Sequence, residues 1–165
     1  MQIQTLGASH DRNAFDCGTA ELNIFLKTMA KQAGAKRMSQ TFVLTRTAEP
    51  AKIIGYFSLT ICQVNIEEVP ERQRKKYPPQ HGLPAIRLAR LAVSLSEQKK
   101  GLGGILLADA MLKTAVAAEL VGGIGLFVDA KDENAKKFYQ HYGFVVTNDA
   151  RPMQLFLPTA SLPKA

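Results

Sequence analysis

The feature that most limits the possible folds of this chain is a short glycine-rich turn between two long apolar segments. Residues 97–104 read EQKKGLGG. The segment before the turn, residues 85–95 (AIRLARLAVSL), has the length and composition of a buried strand. The segment after it, residues 102–120, is apolar on nearly every face of a helix, so we expect most of that helix to be buried. A strand, a tight turn and a buried helix together make the first half of a βαβ unit.

The remaining pattern places further strands around that unit. Residues 123–130 (GIGLFVDA) are almost continuously apolar, which is typical of a parallel strand covered on both faces. An apolar stripe at helical spacing predicts one helix over residues 19–33. Residues 41–47 and 52–66 predict an antiparallel hairpin. Residues 67–84 contain four prolines and predict a long surface loop.

The end of the chain predicts one more helix and a closing hairpin. The apolar spacing of residues 135–142 fits a helix, and Gly143 stands where a helix-capping glycine belongs. The predicted order is therefore β-α-β-β-β-α-β-α-β-β. This is an α/β arrangement with a mixed sheet and a right-handed parallel βαβ unit at its centre, and we expect one domain over residues 1–165.

The turn itself is suited to holding an anion. Glycines at 101, 103 and 104 let backbone N–H groups approach a ligand closely, and the N-terminus of the following helix adds positive potential. Lys99 and Lys100 add charge at the rim. The expected guest is a phosphate or pyrophosphate. The spacing matches neither a P-loop nor the dinucleotide fingerprint, and a plain flexible turn with solvated lysines is the alternative.

Composition narrows the setting and the partners. A formal charge of +7 and a pI near 9.5 favour a polyanionic partner, although a basic surface alone also fits. There is no apolar run of roughly 20 residues and no basic-then-apolar N-terminal signal, so we expect a cytoplasmic protein without a membrane segment. The two cysteines lack a C-x-x-C spacing and the three histidines are dispersed (His10, His81 and His141), so neither a disulfide framework nor a metal site is expected.

Two motifs give the turn a family context. QKKGLG (residues 98–103) matches Q/R-x-x-G-x-G/A, the acyl-CoA pyrophosphate loop of the GCN5-related N-acetyltransferases (GNAT). ENAKKFYQHYGF (residues 133–144) resembles the second signature of that family, A-x-x-F-Y-x-x-x-G-F. Residues 15–30, 55–60 and 87–93 further resemble the acetyltransferase toxins of bacterial toxin–antitoxin pairs.

The resemblance implies an activity and a set of partners. Proteins of this toxin group acetylate the α-amino group of aminoacyl-tRNA, which stops translation, and a small ribbon-helix-helix antitoxin neutralises them. Members often form homodimers. The implied cosubstrate is acetyl-CoA, and the resemblance makes Tyr139 the general acid that protonates the departing thiolate. The residues predicted to contact acetyl-CoA are Leu91, Ala92, Val93, Gln98, Lys99, Lys100, Gly101, Leu102, Gly103, Gly104, Asn134 and Phe138.

Several alternatives remain open from the residues alone. Tyr139 lies on an apolar stripe at helical spacing, which without the second motif favours a core aromatic, while Tyr142 is a rival acid one turn later. Glu67 and Glu68 are candidate bases or solvated loop residues, and Cys62 fits a buried small apolar side chain. Residues predicted to contact tRNA phosphates are Lys27, Lys31, Lys36, Arg37, Arg74, Lys75, Lys76, Arg87 and Arg90.

Two other function classes fit the same sequence. One is an acetyltransferase of small amines or protein lysines, which has the same turn and the same Tyr139 but no need for a basic surface. The other is a non-catalytic nucleic-acid-binding module on the same fold. The absence of an obvious dedicated base favours an α-amine acceptor, because an α-amino group near pKa ~7.7–8.0 is far more often neutral than a lysine amine near ~10.4.

Overall fold

The computed structural model describes residues 1–79 and 82–164. Seven strands and five α-helices follow one another along these residues. In chain order they are β1 (Gln2–Thr5), α1 (Ala20–Thr28), α2 (Ala30–Ala35), β2 (Gln40–Thr45), β3 (Gly55–Val64), α3 (Glu71–Arg74), β4 (Leu83–Val93), α4 (Leu102–Val121), β5 (Gly125–Asp129), α5 (Glu133–His141), β6 (Val145–Asn148) and β7 (Arg151–Pro158). The strands form one mixed sheet in the order β1-β2-β3-β4-β5-β7-β6.

The residues divide into two compact units. The first combines Met1–Thr60 with Ala89–Ala110, and the second combines Ile61–Leu88 with Met111–Ala165. In the first unit β1 pairs antiparallel with β2, and β2 pairs antiparallel with β3, as the predicted hairpin requires. The core of this unit contains three aromatic rings, and the ring of Tyr56 lies 5.5 Å from that of Phe15 and 6.4 Å from that of Phe25.

The helix predicted over residues 19–33 is two helices. Met29 ends α1 and begins α2, and its backbone leaves the helical region at φ −122° and ψ −32°. Leu26 and Ala30, on either side of this break, are both buried. The apolar stripe therefore continues across the break, and for that reason its spacing alone could not reveal the bend.

The second unit contains the parallel pair of the sheet. Ile86, Arg87 and Leu88 of β4 pair with Leu126, Phe127 and Val128 of β5, which confirms the predicted parallel strands joined through α4. β7 pairs antiparallel with β5 on one side and with β6 on the other, which confirms the closing hairpin.

Gly125 is the most crowded position of this pairing. A Cβ atom at Gly125 would overlap the carbonyl oxygen of Leu157 and the ring of Phe156. β5 and β7 therefore approach each other over bare backbone at this residue.

Two predictions about residues 67–120 need correction. The segment expected to be a plain loop contains a 3₁₀ turn (Ile66–Glu68), helix α3 and the start of β4, while Gln80 and His81 lie outside the described residues. Helix α4 has the predicted bounds, but it is less buried than expected: the side chains of Leu112, Val116, Leu120 and Val121 are exposed. A uniformly apolar helix carries no signal for which side faces solvent.

Candidate active site

The glycine turn is fixed at its start by the side chain of Gln98. Its Nε2 donates hydrogen bonds to the backbone carbonyl oxygens of Val93, at 2.9 Å, and Cys17, at 3.0 Å. The backbone N–H of Leu95 donates to the carbonyl oxygen of Asp16 at 2.8 Å, next to Cys17. The turn is thus tied both to the end of its own strand and to the segment that precedes α1.

The buried carboxylate of Glu97 supports the turn through ionic contacts. Glu97 accepts two hydrogen bonds from the guanidinium of Arg46, at 2.9 and 2.6 Å, and its side chain is 11% exposed. Lys100 Nζ lies 3.5 Å from the same carboxylate. The hydrogen bonds from Arg46 hold the pKa of Glu97 at about 2, well below its ordinary value of 4.5, so the carboxylate stays charged at neutral pH.

The backbone of the turn has the geometry of an anion cradle. Lys99 and Gly101 both adopt left-handed conformations, with φ of 65° and 81°. Left-handed residues alternating with ordinary ones turn successive N–H groups toward one side, which is the arrangement that binds anions. Helix α4 begins directly afterwards at Leu102, and the first N–H groups of a helix have no partner within it. The residues present therefore fit a phosphate or pyrophosphate group.

The strand residues predicted to contact the cosubstrate lie at the end of β4. The parallel register with β5 has its last pair at Leu88 and Val128, and Leu91, Ala92 and Val93 follow that pair along β4. Ala92 is buried, whereas Leu91 and Val93 are half-buried. Gly103 and Gly104 are half-buried in the first turn of α4, after the buried Leu102.

Tyr139 lies in a small aromatic cluster on α5. Its side chain is 7% exposed and its ring packs edge-on against those of Phe138, at 5.2 Å, and Phe144, at 5.5 Å. Burial raises the pKa of the Tyr139 hydroxyl well above its ordinary value of 10, so the group is protonated throughout the physiological range. A hydroxyl that keeps its proton can act as a donor, which is what a general acid needs before the reaction.

Tyr142 has different surroundings. It caps the C-terminus of α5, is 37% exposed, and contacts the rings of Phe138 and His141. Asn134 is an exposed residue of the first turn of α5. Asp132 starts this helix by accepting a hydrogen bond from the backbone N–H of Ala135 at 2.8 Å.

Of the two candidate bases, Glu68 is engaged in structural contacts through its carboxylate, whereas Glu67 is exposed. Glu68 accepts a hydrogen bond from Arg151 at 2.6 Å and another from the backbone N–H of Asn65 at 2.7 Å, and its side chain is 15% exposed. The backbone carbonyl of Glu67 accepts hydrogen bonds from Arg74 and Asn148. Cys62 is a half-buried free cysteine, and burial raises the pKa of its thiol.

The basic residues fall into two groups. Arg87 forms an ion pair with Asp129 at 2.7 Å, Arg74 donates to two backbone carbonyls, and Arg90 lies over the ring of Phe25. The others are exposed: Lys27, Lys31, Lys36, Arg37, Lys75 and Lys76. Lys31 also borders a cavity of about 310 Å³ between β1 and α2.

Over residues 1–79 and 82–164 no group of histidine, cysteine and carboxylate side chains is arranged to hold a metal ion. The described helices include none that combines the length and the hydropathy needed to cross a bilayer.

Comparison with known proteins identifies the fold. A family model described as an acetyltransferase (GNAT) domain matches residues 13–154. The chain belongs to the GNAT acetyltransferase family. This confirms the predicted family, the predicted fold class and the predicted acetyl-CoA-dependent acetyltransferase class.

Within the GNAT family the chain is similar to toxins. A tRNA-acetylating toxin of Mycobacterium tuberculosis (strain ATCC 25618 / H37Rv) is 31% identical over 147 residues, which cover 89% of this chain and 85% of the relative. The structure of AtaT complexed with acetyl-methionyl-tRNAfMet is 32% identical with a TM-score of 0.89, covering 97% of this chain and 95% of AtaT. A tyrosine-to-phenylalanine mutant of AtaT bound to the C-terminus of the antitoxin AtaR and acetyl-CoA is 30% identical with a TM-score of 0.82, covering 97% and 94%.

Sequence reasoning missed the contacts that hold the glycine turn in place. Arg46 lies 51 residues before Glu97, and Cys17 lies 81 residues before Gln98. Partners at such separations leave no local pattern in a single sequence. The motif signalled the turn itself, and the only hint of its support was an acidic residue directly before Gln98.

Proposed function

We propose that this GNAT enzyme acetylates the α-amino group of the amino acid carried by a charged tRNA. The similarity to a tRNA-acetylating toxin over 89% of the chain carries this proposal. The similarity to AtaT, whose structure contains acetyl-methionyl-tRNAfMet, supports it. The consequence in a cell would be arrest of translation, and since the substrate is charged tRNA we place the protein in the cytoplasm.

Acetyl-CoA supplies an acetyl group activated as a thioester. We assign the backbone N–H groups of residues 99–104 to its phosphates, because the left-handed Lys99 and Gly101 and the N-terminus of α4 fit such an anion. We assign Leu91, Ala92 and Val93 to its pantetheine arm and Asn134 and Phe138 to further contacts. Tyr139 would then donate the proton of its hydroxyl to the thiolate that departs as the amine forms the amide bond, and the proton lost by the amine nitrogen would restore the hydroxyl.

No residue is needed as a strong base for this acceptor. A free α-amino group titrates near ~7.7–8.0, and an esterified carboxyl lowers that value, so much of the amine is neutral at pH 7. Glu68 is held by Arg151 and by the backbone of Asn65, which is consistent with a structural role. A lysine acceptor would require a base that removes a proton near pKa ~10.4.

The exposed lysines and Arg37 are proposed to contact tRNA phosphates. They provide affinity without reading sequence, and this affinity should fall as salt rises. We further propose that the protein forms a homodimer and that a small ribbon-helix-helix antitoxin neutralises it. The complex of AtaT with the C-terminus of the antitoxin AtaR supports the second of these proposals.

One experiment separates the candidate functions. The purified protein is incubated with acetyl-CoA and either charged tRNA, spermidine or a lysine peptide, and release of the CoA thiol is followed. We expect turnover with charged tRNA alone. Turnover with spermidine or peptide alone would indicate a small-amine or lysine acetyltransferase, and tRNA binding without any turnover would indicate a non-catalytic module.

A further inference from the structure

Arg90 differs from the other half-buried arginines in what surrounds its guanidinium. Arg12, Arg46, Arg74 and Arg87 each donate a hydrogen bond to a carbonyl or carboxylate oxygen. Among the described residues no oxygen accepts a hydrogen bond from the guanidinium of Arg90, although the residue is equally half-buried. The guanidinium contacts the ring of Phe25, whose centroid lies 3.5 Å from Cζ.

The ring beneath Arg90 is held firmly. Phe25 is 4% exposed and stacks on Tyr56 with an interplanar angle of 20°. Tyr56 is itself completely buried and donates its hydroxyl hydrogen to the carbonyl oxygen of Leu22 at 2.7 Å. A guanidinium that lies over the face of a fixed ring has a fixed orientation. Its five N–H donors lie around the edge of the guanidinium plane, where the ring below cannot accept them.

The half-buried position of Arg90 is unfavourable for a cation whose N–H groups have no hydrogen-bond acceptor. Burial lowers the pKa of Arg90, and the opposing influence is the hydroxyl of Tyr56 and not a carboxylate. Partly removing a charge from water costs free energy unless hydrogen bonds or an opposite charge offset it. The contact with Phe25 offsets part of that cost but uses none of the N–H groups. An arginine fixed in this way is suited to an anion that accepts in the plane of the guanidinium, as a phosphate does.

We propose that Arg90 is a preformed site for a single phosphate group, and that this phosphate belongs to the acceptor end of the tRNA. The second half of the statement rests on the proposed function. The phosphates of acetyl-CoA are assigned to residues 99–104, at the far end of its uncharged pantetheine arm. Arg90 directly precedes Leu91–Val93, at the other end of that arm, where the aminoacyl ester must arrive.

The test uses binding, so that it does not depend on turnover. An uncharged acceptor-stem RNA ending in single-stranded CCA is titrated with the full-length protein by fluorescence anisotropy at several salt concentrations. Arg90→Gln should reduce the slope of log K against log salt by about 0.7–0.9, the value of one phosphate contact. The affinity for acetyl-CoA, measured by calorimetry, and the Tm should stay near those of the wild type.

Two further variants separate charge from geometry. Arg90→Lys keeps the charge but not the planar group, so the salt slope should stay near the wild-type value while the affinity falls several-fold. Lys52→Gln removes one positive charge at an exposed residue of the same unit and should leave the slope unchanged.

The outcomes distinguish this inference from the proposed function. If Arg90→Gln leaves the RNA slope unchanged and weakens acetyl-CoA binding, the phosphate is that of the cosubstrate and the tRNA assignment is wrong. If only the Tm falls, Arg90 merely covers Phe25 and the inference is wrong. If the wild type does not bind the RNA, the inference also fails. If the slope depends on Arg90 but charged tRNA is not acetylated, the inference stands and the proposed function fails.

Discussion

The glycine turn at residues 97–104 and the helix α5 are both predicted to act on acetyl-CoA, but the turn acts through its backbone and α5 through a side chain. The turn offers backbone N–H groups in an exposed segment, and side chains such as Arg46 and Gln98 serve to hold it in place. Helix α5 offers one side-chain hydroxyl, and the aromatic rings around Tyr139 bury it. Acetyl-CoA binding by the turn should therefore depend on the backbone conformation of the turn. Catalysis by α5 should depend on one chemical group, the hydroxyl of Tyr139.

The largest expected effect is at Tyr139, where one oxygen atom is removed and the ring is kept. Tyr139→Phe should lower kcat by about 10²–10⁴-fold, because general-acid catalysis is worth that much. The contacts with Phe138 and Phe144 should survive, so calorimetry should show unchanged acetyl-CoA binding. Tyr142→Phe is the matched control, since Tyr142 caps the same helix but is 37% exposed, and it should retain wild-type kcat.

If the two tyrosine variants behave the other way round, Tyr142 is the acid. The pH profile gives a second measurement. Burial raises the pKa of Tyr139, so the acid keeps its proton above the ordinary tyrosine value of 10. Hence kcat of the wild type should show no fall with rising pH below about 10. A fall at a lower pH would point to a different essential acid.

The next effect in size concerns the conformation of the turn. Gly101 has φ 81° and open space around the position where a Cβ would lie, so a side chain there is opposed by strain and not by a clash. Gly101→Val should weaken acetyl-CoA binding by about 5- to 30-fold, since the left-handed conformation costs a non-glycine residue about 1–2 kcal/mol. Calorimetry tests this, with Gly122→Val as the control at an equally open left-handed glycine after α4. Unchanged binding would mean that the turn is not the cradle.

A smaller effect is expected when the support behind the turn is weakened. Glu97→Gln loses the charge that Arg46 and Lys100 contact, so the KM for acetyl-CoA should rise several-fold while kcat stays unchanged. An equal fall in kcat would argue against a positioning role.

The pH dependence of stability tests the same ion pair. The folded-state pKa of Glu97, about 2, is lower than its ordinary 4.5, so the carboxylate stabilises the fold above pH 4.5 and loses this effect as pH falls toward 2. The difference in Tm between the wild type and Glu97→Gln should therefore narrow over that interval. A difference that is constant from pH 6 to pH 2 would contradict the ion-pair explanation.

The smallest expected effect concerns Lys99, the other left-handed residue of the turn. Lys99 adopts φ 65°, which glycine tolerates better than lysine does. If the turn acts through its backbone, Lys99→Gly should keep acetyl-CoA affinity within about threefold and should not lower the Tm. A loss as large as that of Gly101→Val would show that the lysine side chain, and not the backbone, makes the contact.

How much could be predicted from the sequence depends on whether a feature is local along the chain. The glycine motif and the F-Y-x-x-x-G-F motif are local, so residues 98–104 and Tyr139 could be singled out directly. Long apolar segments such as those of α4 and β5 were placed within a few residues, because their length and composition mark an element even without periodicity. The break at Met29 was missed because Leu26 and Ala30 keep one apolar stripe across it.

Contacts between distant residues could not be predicted. Nothing in the sequence pairs Arg46 with Glu97, or sets Arg90 on Phe25, because these residues meet only when separate strands and helices pack. The predicted basic surface shows the same limit. In the sequence, Arg74, Arg87 and Arg90 carry the same positive charge as the exposed lysines and cannot be told apart from them as phosphate contacts. In the fold each of the three arginines contacts a protein group.

The crowding at Gly125 has a genetic consequence. Every amino acid that a single nucleotide change can substitute for glycine carries a Cβ atom, and any Cβ at Gly125 would overlap Leu157 and the ring of Phe156. If the protein arrests growth, selection for surviving colonies should collect missense alleles at this codon as readily as at the codon for Tyr139. The two classes would differ in the cell extract: alleles at Gly125 should leave little folded protein, whereas Tyr139→Phe should leave normal amounts.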